Sequence, residues 1–327
     1  MKQFLVNTLG KVYNFVKSNS YLSSLYYSVA NRNYFTSFTE HEKMLADVSR
    51  MEAYHNAITK HVSKGDIVID LGTGTGILSF FAAKKSPAKI YAIDHGKIID
   101  SAKKIAAHNK ITGIEFVNAN SKTFTMDEKA DILIHEQIGA LLFDEHMVEN
   151  ILDLRDRVLK KGGKILPGKF EVFLAPVKLK DNSRVPFIWE QEIYGVKYDC
   201  FNDLSSDVKA QHGILMVRPG TVDYFLSEPE KIMSFDLETL NVPDIPKEFK
   251  FSLKVDRDGR SDGFCFYFNI IFDNENILST NPLTSTTHWN IPILRTRTQN
   301  YNLGDELSFA LSWSDPAEMD SYKWEVI

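Results

Sequence analysis

Two short stretches of this sequence have the residue types and spacing for chemistry. The first is IVIDLGTGTGILSFFAAKK, where Gly72, Gly74 and Gly76 stand between a β-branched run and a helical one, with Asp70 just ahead of them. Glycines at such a junction let the backbone turn tightly and approach a ligand closely. The spacing is G-x-G-x-G, whereas a dinucleotide fingerprint reads G-x-G-x-x-G. With an acid at the end of the strand, the pattern suits a cofactor that has no pyrophosphate, such as S-adenosylmethionine. The next β-branched run ends in Asp94, where an acid can accept both hydroxyls of a ribose. A nicotinamide cofactor is the competing ligand, and a turn that merely joins strand to helix is the competing explanation without one.

The second stretch is HEQIGALLFDEH. Glu136 directly follows a strand-like run, Glu145 stands nine residues later near the start of a helical run, and Gly139 between them allows the chain to fold back. A hairpin of this kind aims two carboxylates at one point beside the glycine turn. The group that fits between them is a guanidinium, which is planar and charged at any working pH. Two carboxylates gripping it in forked geometry align one terminal nitrogen with a sulfonium methyl. They also concentrate positive charge on the gripped part, which leaves more lone-pair character on the attacking nitrogen, so positioning and electrostatics supply most of the catalysis. Taken singly, Glu145 reads as a helix N-terminal acid stabilised by the dipole, and Glu136 as a solvated loop residue. Methyltransferases acting on base amino groups commonly carry a Pro-Pro-aromatic turn at this point, and HEQIG lacks it.

The elements that must position these residues follow from periodicity. Residues 1 to about 62 read as helices. Over residues 66–165, β-branched runs (DIVIDL, KIYAID, IEFVNA, ADILIHE) alternate with helical ones (ILSFFAAKK, KIIDSAKKIAAHNK, EHMVENILDLRDRVLKK). Such alternation predicts a parallel sheet with helices on both faces. Gly162-Gly163 is expected to close the last helix. Beyond Pro167-Gly168 the pattern changes to short strands, among them KFEVFLAPVKL, GILMVRP, FKFSLKV, GFCFYFNIIF and LSFALSW, which predicts a barrel or sandwich. The expected fold is therefore α/β followed by β. Residues 1–166 make a Rossmann-like cofactor domain with N-terminal helices, and residues 167–327 a β-barrel-like domain.

Composition narrows the function classes. At 327 residues there is room for two cores, and a net charge of -5 gives no hint of the basic face that nucleic-acid binding needs. Cys200 and Cys265 are too few for a disulfide framework or a zinc site, so no metal is expected. They read as reduced thiols of a cytoplasmic protein. No apolar run is long enough to span a bilayer. The mildly amphipathic start, MKQFLVNTLGKVYNFV, reads as a segment docked on the fold.

Taken together these residues resemble the protein arginine methyltransferases, over almost the whole chain. NYFTSFTEHEKMLADVSRMEAY resembles the family's cofactor-capping helix. The glycine loop, the two glutamates nine apart, and Thr287-His288-Trp289 at the end of TNPLTSTTHW occur in family order. The resemblance implies that S-adenosyl-L-methionine is the cofactor and an arginine-containing protein or peptide the acceptor. Arg50 would bind the cofactor's carboxylate and Asp94 its ribose, with Asp70, Gly72, Gly74, Gly76 and Ser121 completing that site. Glu136 and Glu145 would clamp the guanidinium, and His288 would pair with Asp47 across the domain interface. Tyr34, Phe35 and Phe38 would form a lid, with Met44 and Trp289 lining the pocket. The family is typically a homodimer, and WEQEIYGVKYDCFNDLSSDV, about residues 189–208, occupies the position of its dimerisation arm. Four features depart from the pattern: Gln137 stands where tryptophan is usual, Phe38 where a tyrosine is expected, Asn120-Ser121 where an acid often lies near the adenine, and the segment between Phe38 and His41 is short. They leave open free arginine as the acceptor, a non-catalytic scaffold, and the degree and symmetry of methylation.

Overall fold

The computed structural model describes residues 38–201 and 213–327. The lid residues Tyr34 and Phe35, the amphipathic N-terminal stretch and the last part of the expected arm lie outside the described residues. The chain divides into two units. One comprises residues 38–46, Tyr54–Gln137 and Glu149–Leu166, and the other Asp47–Ala53, Ile138–Val148 and Pro167–Ile327.

The first unit is built on five parallel strands: β1 (Ile67–Leu71), β2 (Lys89–Asp94), β3 (Ile114–Asn118), β4 (Ala130–His135) and β5 (Leu159–Leu166), in the order β3-β2-β1-β4-β5. In chain order the helices are α1 (Phe38–Ala46), α2 (Val48–His61), α3 (Ile77–Ala83), α4 (Ile99–His108) and α5 (Met147–Val158). The first residues of α2 and of α5 group with the second unit. The central strands read as near-continuous apolar runs because both faces are covered. Val68, Ile69, Ile90, Ala92, Ile93, Leu133 and Ile134 are all fully buried. The chain leaves β1 toward β2 and β3 and returns on the other side as β4, so a crevice opens at the carboxyl ends of β1 and β4.

One boundary differs from expectation. The helical pattern predicts a helix to Lys161 closed by Gly162-Gly163, yet α5 stops at Val158 and both glycines lie inside β5. Pairing between β4 and β5 jumps from Ala130↔Leu159 to Ile132↔Lys164, so Lys160–Gly163 bulge out of the ladder, with Gly162 at φ +76°. A diglycine ends a helix and permits a bulge equally well. The helix here passes into the strand without a loop between them.

The second unit is antiparallel. Strands β6 (Lys169–Leu179) and β13 (Gly259–Ile271) lie at the centre of a seven-stranded sheet. β15 (Ile291–Tyr301) and β9 (Ile214–Val217) follow beside β13. β10 (Val222–Phe225) and β11 (Glu230–Asp236) pair with β6, and β14 (Ile277–Ser279) pairs with β13. A three-stranded sheet holds β12 (Glu248–Lys254), β16 (Glu306–Ser312) and β17 (Lys323–Val326). Among the described residues this pairing makes two sheets and closes no barrel. Aromatic rings fill the core, with Phe264 stacked on Phe309 at 3.7 Å and Phe235 between Phe143 and Phe170. A second cluster, around Val177, Cys265 and Ile293, takes in Phe173 stacked on Tyr267.

After β6 the chain makes a projecting excursion. Phe187 stacks on Trp189 at 4.6 Å and carries the Arg295 guanidinium over its ring at 4.2 Å. Arg184 reaches Asp262 at 3.3 Å and Glu190 at 3.7 Å. Beyond this stem, β7 (Glu192–Ile193) and β8 (Val196–Lys197) form a minimal hairpin.

Candidate active site

Register sets the site of the first unit. Leu71 pairs with Ile93 on one side and with His135 on the other. Gly72, Asp94 and Glu136 therefore stand level at one edge of the sheet, at the switch point where open α/β sheets bind ligands. The turn after β1 is made by three left-handed glycines, Gly72 (φ +73°), Gly74 (φ +53°) and Gly76 (φ +92°). Gly74 has a further constraint. A Cβ there would lie 2.8 Å from Cε1 of His41, a buried histidine of α1 that covers the turn. Nothing in TEHEKML marks His41 apart from other histidines; its burial over Gly74 is visible only in the fold.

Asp70 braces the turn itself. It is fully buried, and its Oδ2 accepts Thr73 Oγ1 at 2.7 Å, Ser79 Oγ at 2.6 Å and Ser79 N at 3.0 Å. Burial drives its carboxyl above the ordinary range, against the lowering effect of Ser79 and Thr73. Asp94 is half-buried and braces the turn from the next strand. Its Oδ2 accepts Gly74 N at 3.0 Å and its Oδ1 accepts Gly96 N at 2.7 Å. A carboxylate offers about four acceptor positions, so Asp94 keeps capacity for ribose hydroxyls.

Ser121 opens a short 3-10 turn capped by Asn120, whose side chain accepts Lys122 N at 2.9 Å. Arg157 holds this turn through the Ser121 carbonyl at 2.7 Å and the Phe124 carbonyl at 2.6 Å, itself paired with Asp153. Glu136 follows β4 directly and is half-buried. Tyr54 hydrogen-bonds the carbonyl of His135, the residue before it, at 3.0 Å. At the start of α1, Phe38 is 63 % exposed, while Met44 is half-buried.

In the second unit, Asp47 is enclosed and meets two groups of one residue, His288, 241 positions away in sequence. Its Oδ2 accepts His288 N at 2.9 Å and lies 2.7 Å from His288 Nδ1. Its Oδ1 accepts Arg50 N at 2.9 Å, so the same carboxylate caps α2. Those hydrogen bonds outweigh the opposing effect of burial and hold the Asp47 carboxyl below its ordinary value. The pair lies within the second unit and spans no boundary between units. Arg50 is buried one turn into the helix. Trp289 is buried and donates Nε1 to the Ile138 carbonyl at 2.7 Å.

Glu145 belongs to the loop Ile138–His146. Half of the six non-glycine residues with positive φ among the described residues fall there, namely Leu142, Glu145 and His146, which marks it as a strained, held loop. Asp144 is the residue that holds it. Its Oδ2 accepts Leu141 N at 3.2 Å, and its side chain fills the space a Cβ on Gly139 would need. Burial raises the Asp144 carboxyl above its ordinary value, only partly offset by the amides of Leu141 and Ala140. Asp144 carries no motif of its own, so sequence reading passes over it. Among the described residues no group of three or more His, Cys, Asp or Glu is arranged to hold a metal ion.

A parallel sheet with a glycine turn at its switch point, followed by an antiparallel unit, defines the chain as a methyltransferase domain with an appended β subdomain. The family model described as a methyltransferase domain matches residues 62–199. The one described as the arginine methyltransferase oligomerization subdomain matches residues 169–315. Protein arginine N-methyltransferase 6 of Danio rerio is 32% identical over 274 residues, covering 80% of this chain and 78% of the relative. Protein arginine N-methyltransferase 1 of Saccharomyces cerevisiae is 31% identical over 274 residues, covering 80% and 77%. The chain belongs to the protein arginine N-methyltransferase family. Solved structures share the fold. The Trypanosoma brucei PRMT1 enzyme-prozyme heterotetrameric complex with AdoHcy superposes with a TM-score of 0.78 at 24% identity, covering 89% of this chain and 94% of that one. Arabidopsis thaliana protein arginine methyltransferase 10 gives 0.74 at 25% identity, covering 90% and 93%.

Proposed function

We propose that this protein transfers a methyl group from S-adenosyl-L-methionine to a guanidino nitrogen of arginine residues in proteins. The observation that carries the reading is the placement of Glu136, level with the glycine turn and Asp94 at the sheet's switch point, in a chain of this family. The residues at that edge fit the cofactor. The turn has no room for a side chain at Gly74 or Gly76, Asp94 keeps acceptor capacity for a ribose, and His41 covers the turn. Arg50 would take the cofactor's carboxylate, and the Ser121 turn, fixed by Arg157, would border the adenine. When bound, the cofactor supplies a sulfonium methyl activated for displacement.

The chain's own residues then do the rest. Glu136 and Glu145 are the carboxylates that the family resemblance assigns to the acceptor guanidinium, and within its own unit the strained loop pinned by Asp144 sets the backbone of Glu145. The Asp47–His288 pair holds the start of α2, and with it Arg50, against the loop before β15. By the same resemblance Met44 and Trp289 are assigned to the acceptor side, with Tyr34, Phe35 and Phe38 as lid residues. The chain acts as a homodimer through the excursion between β6 and β9, which the match to an oligomerization subdomain supports. The free thiols Cys200 and Cys265 fit the reducing conditions of the cytoplasm.

The test offers the purified protein labelled S-adenosyl-L-methionine with an arginine-rich peptide, with free L-arginine and with RNA. Label in the peptide is expected. Label confined to free arginine or RNA would reassign the acceptor, and mass spectrometry of the hydrolysed peptide reads the degree of methylation.

A further inference from the structure

Gln137 follows Glu136 at the edge of the sheet and is set by the same register. Its side chain lies along Gly72, such that a Cβ built on that glycine would sit 3.5 Å from Gln137 Cγ and 3.8 Å from Nε2. Its Oε1 is buried and has no hydrogen-bond partner among the described residues. A buried acceptor without a donor costs stability, and an apolar side chain of similar volume would avoid that cost. At the end of the adjacent strand β2, Nε2 of His95 is likewise buried without a partner among the described residues. Polar atoms with unmet capacity thus flank the glycine turn on both sides, where a ligand is to bind.

We infer that Gln137 is a specificity-determining residue whose side-chain carbonyl accepts a hydrogen bond from a cationic N–H donor bound beside Gly72 and Glu136. The inference rests on the methyl-transfer reading. Two donors there share this chemistry, the α-ammonium of the cofactor and the guanidinium of the acceptor. A neutral carboxamide suits either, since it accepts a hydrogen bond next to Glu136 without adding a second negative charge to the edge.

The experiment compares wild type with Gln137→Leu and Gln137→Glu. Calorimetry measures binding of S-adenosylhomocysteine and of 5′-methylthioadenosine, which lacks the amino-acid group, and kinetics measure KM and kcat for an arginine-rich peptide. Loss of one hydrogen bond to a charged donor corresponds to a change of about ten-fold. If the ammonium is the partner, Gln137→Leu weakens S-adenosylhomocysteine by that factor and leaves methylthioadenosine unchanged. If the guanidinium is the partner, peptide KM rises by that factor while S-adenosylhomocysteine binding is unchanged. In both cases the melting temperature stays level or rises, and Gln137→Glu, which keeps the acceptor, retains the affinity that leucine loses. A folded Gln137→Leu with both affinities, KM and kcat within about two-fold of wild type overturns the inference and makes Gln137 a packing residue. Should the leucine variant not fold, Gln137→Met undergoes the same measurements with the same two outcomes. A wild-type protein that binds neither nucleoside and methylates no peptide would instead overturn the methyl-transfer reading.

Discussion

At Asp47 one carboxylate caps α2 through Arg50 N and receives both the backbone and the ring of His288. Removing it costs a helix cap and leaves buried donors unmet, so Asp47→Ala should destabilise the fold by about 2–4 kcal/mol in urea unfolding. Its pH dependence has a definite sign. The folded carboxyl lies below its ordinary 3.8, so the stabilisation is present above pH 3.8 and fades as pH falls through the folded value. Wild type and Asp47→Ala should therefore converge in acid, and an unchanged gap there would refute the assignment. Glu136→Gln probes a different contribution. The amide keeps the shape but loses the charge that grips a guanidinium, so turnover should drop by roughly a hundred-fold or more while S-adenosylhomocysteine still binds. Full turnover in that variant would remove Glu136 from the clamp.

The loop Ile138–His146 shows how an element acquires a strained shape. Gly139 is needed because Asp144 occupies the space a side chain would take, and Asp144 in turn accepts Leu141 N. Gly139→Ala should cost about 1–3 kcal/mol by overpacking and lower turnover with it, as thermal melts and peptide kinetics would show. Asp144→Asn should behave oppositely. Burial raises the Asp144 carboxyl, so its protonated form is the one the fold favours, and that advantage is lost as pH rises through the folded value. Asparagine keeps the acceptor without the charge. Its melting temperature should exceed that of wild type at neutral pH, and the difference should vanish or reverse in acid.

The same loop lies beyond what short-range sequence patterns encode. The glycine turn and β1, β2 and β4 were legible because buried parallel strands and their turns obey short-range patterns. Asp144 was not, because its role depends on how Gly139 comes to face it. Gly162-Gly163 misled because the local pattern cannot tell a helix stop from a bulge in a strand that starts one residue after the helix. Asp47 and His288, 241 positions apart, are linked by no local pattern, and the burial of Asp70 beneath its own turn is a property of the fold.

For the whole molecule, the open question is what the projecting hairpin is for. Its stem is fixed to the β sheet through Arg184, Asp262 and the Phe187 ring under Arg295. Its tip shows Ile193 and Val196 about half exposed and Tyr194 fully exposed. Tyr194 and Gly195 both take positive φ, +49° and +83°, as the two-residue turns that join strands tightly require. An aromatic residue is strained at such a φ, where asparagine or glycine would be relaxed. A strained, fully exposed ring on an anchored stem makes sense if it enters a pocket on another molecule, and the match to an oligomerization subdomain points to a second copy. Tyr194→Asp should then change the monomer's stability by no more than about 0.5 kcal/mol, since the ring touches little within the chain. It should nonetheless sediment as a monomer where wild type sediments as a dimer. Tyr194→Gly separates ring from strain, because it relaxes the turn and still removes the anchor, so it too should dissociate the dimer. Dimers of undiminished stability in both variants would show that assembly uses another face of the molecule.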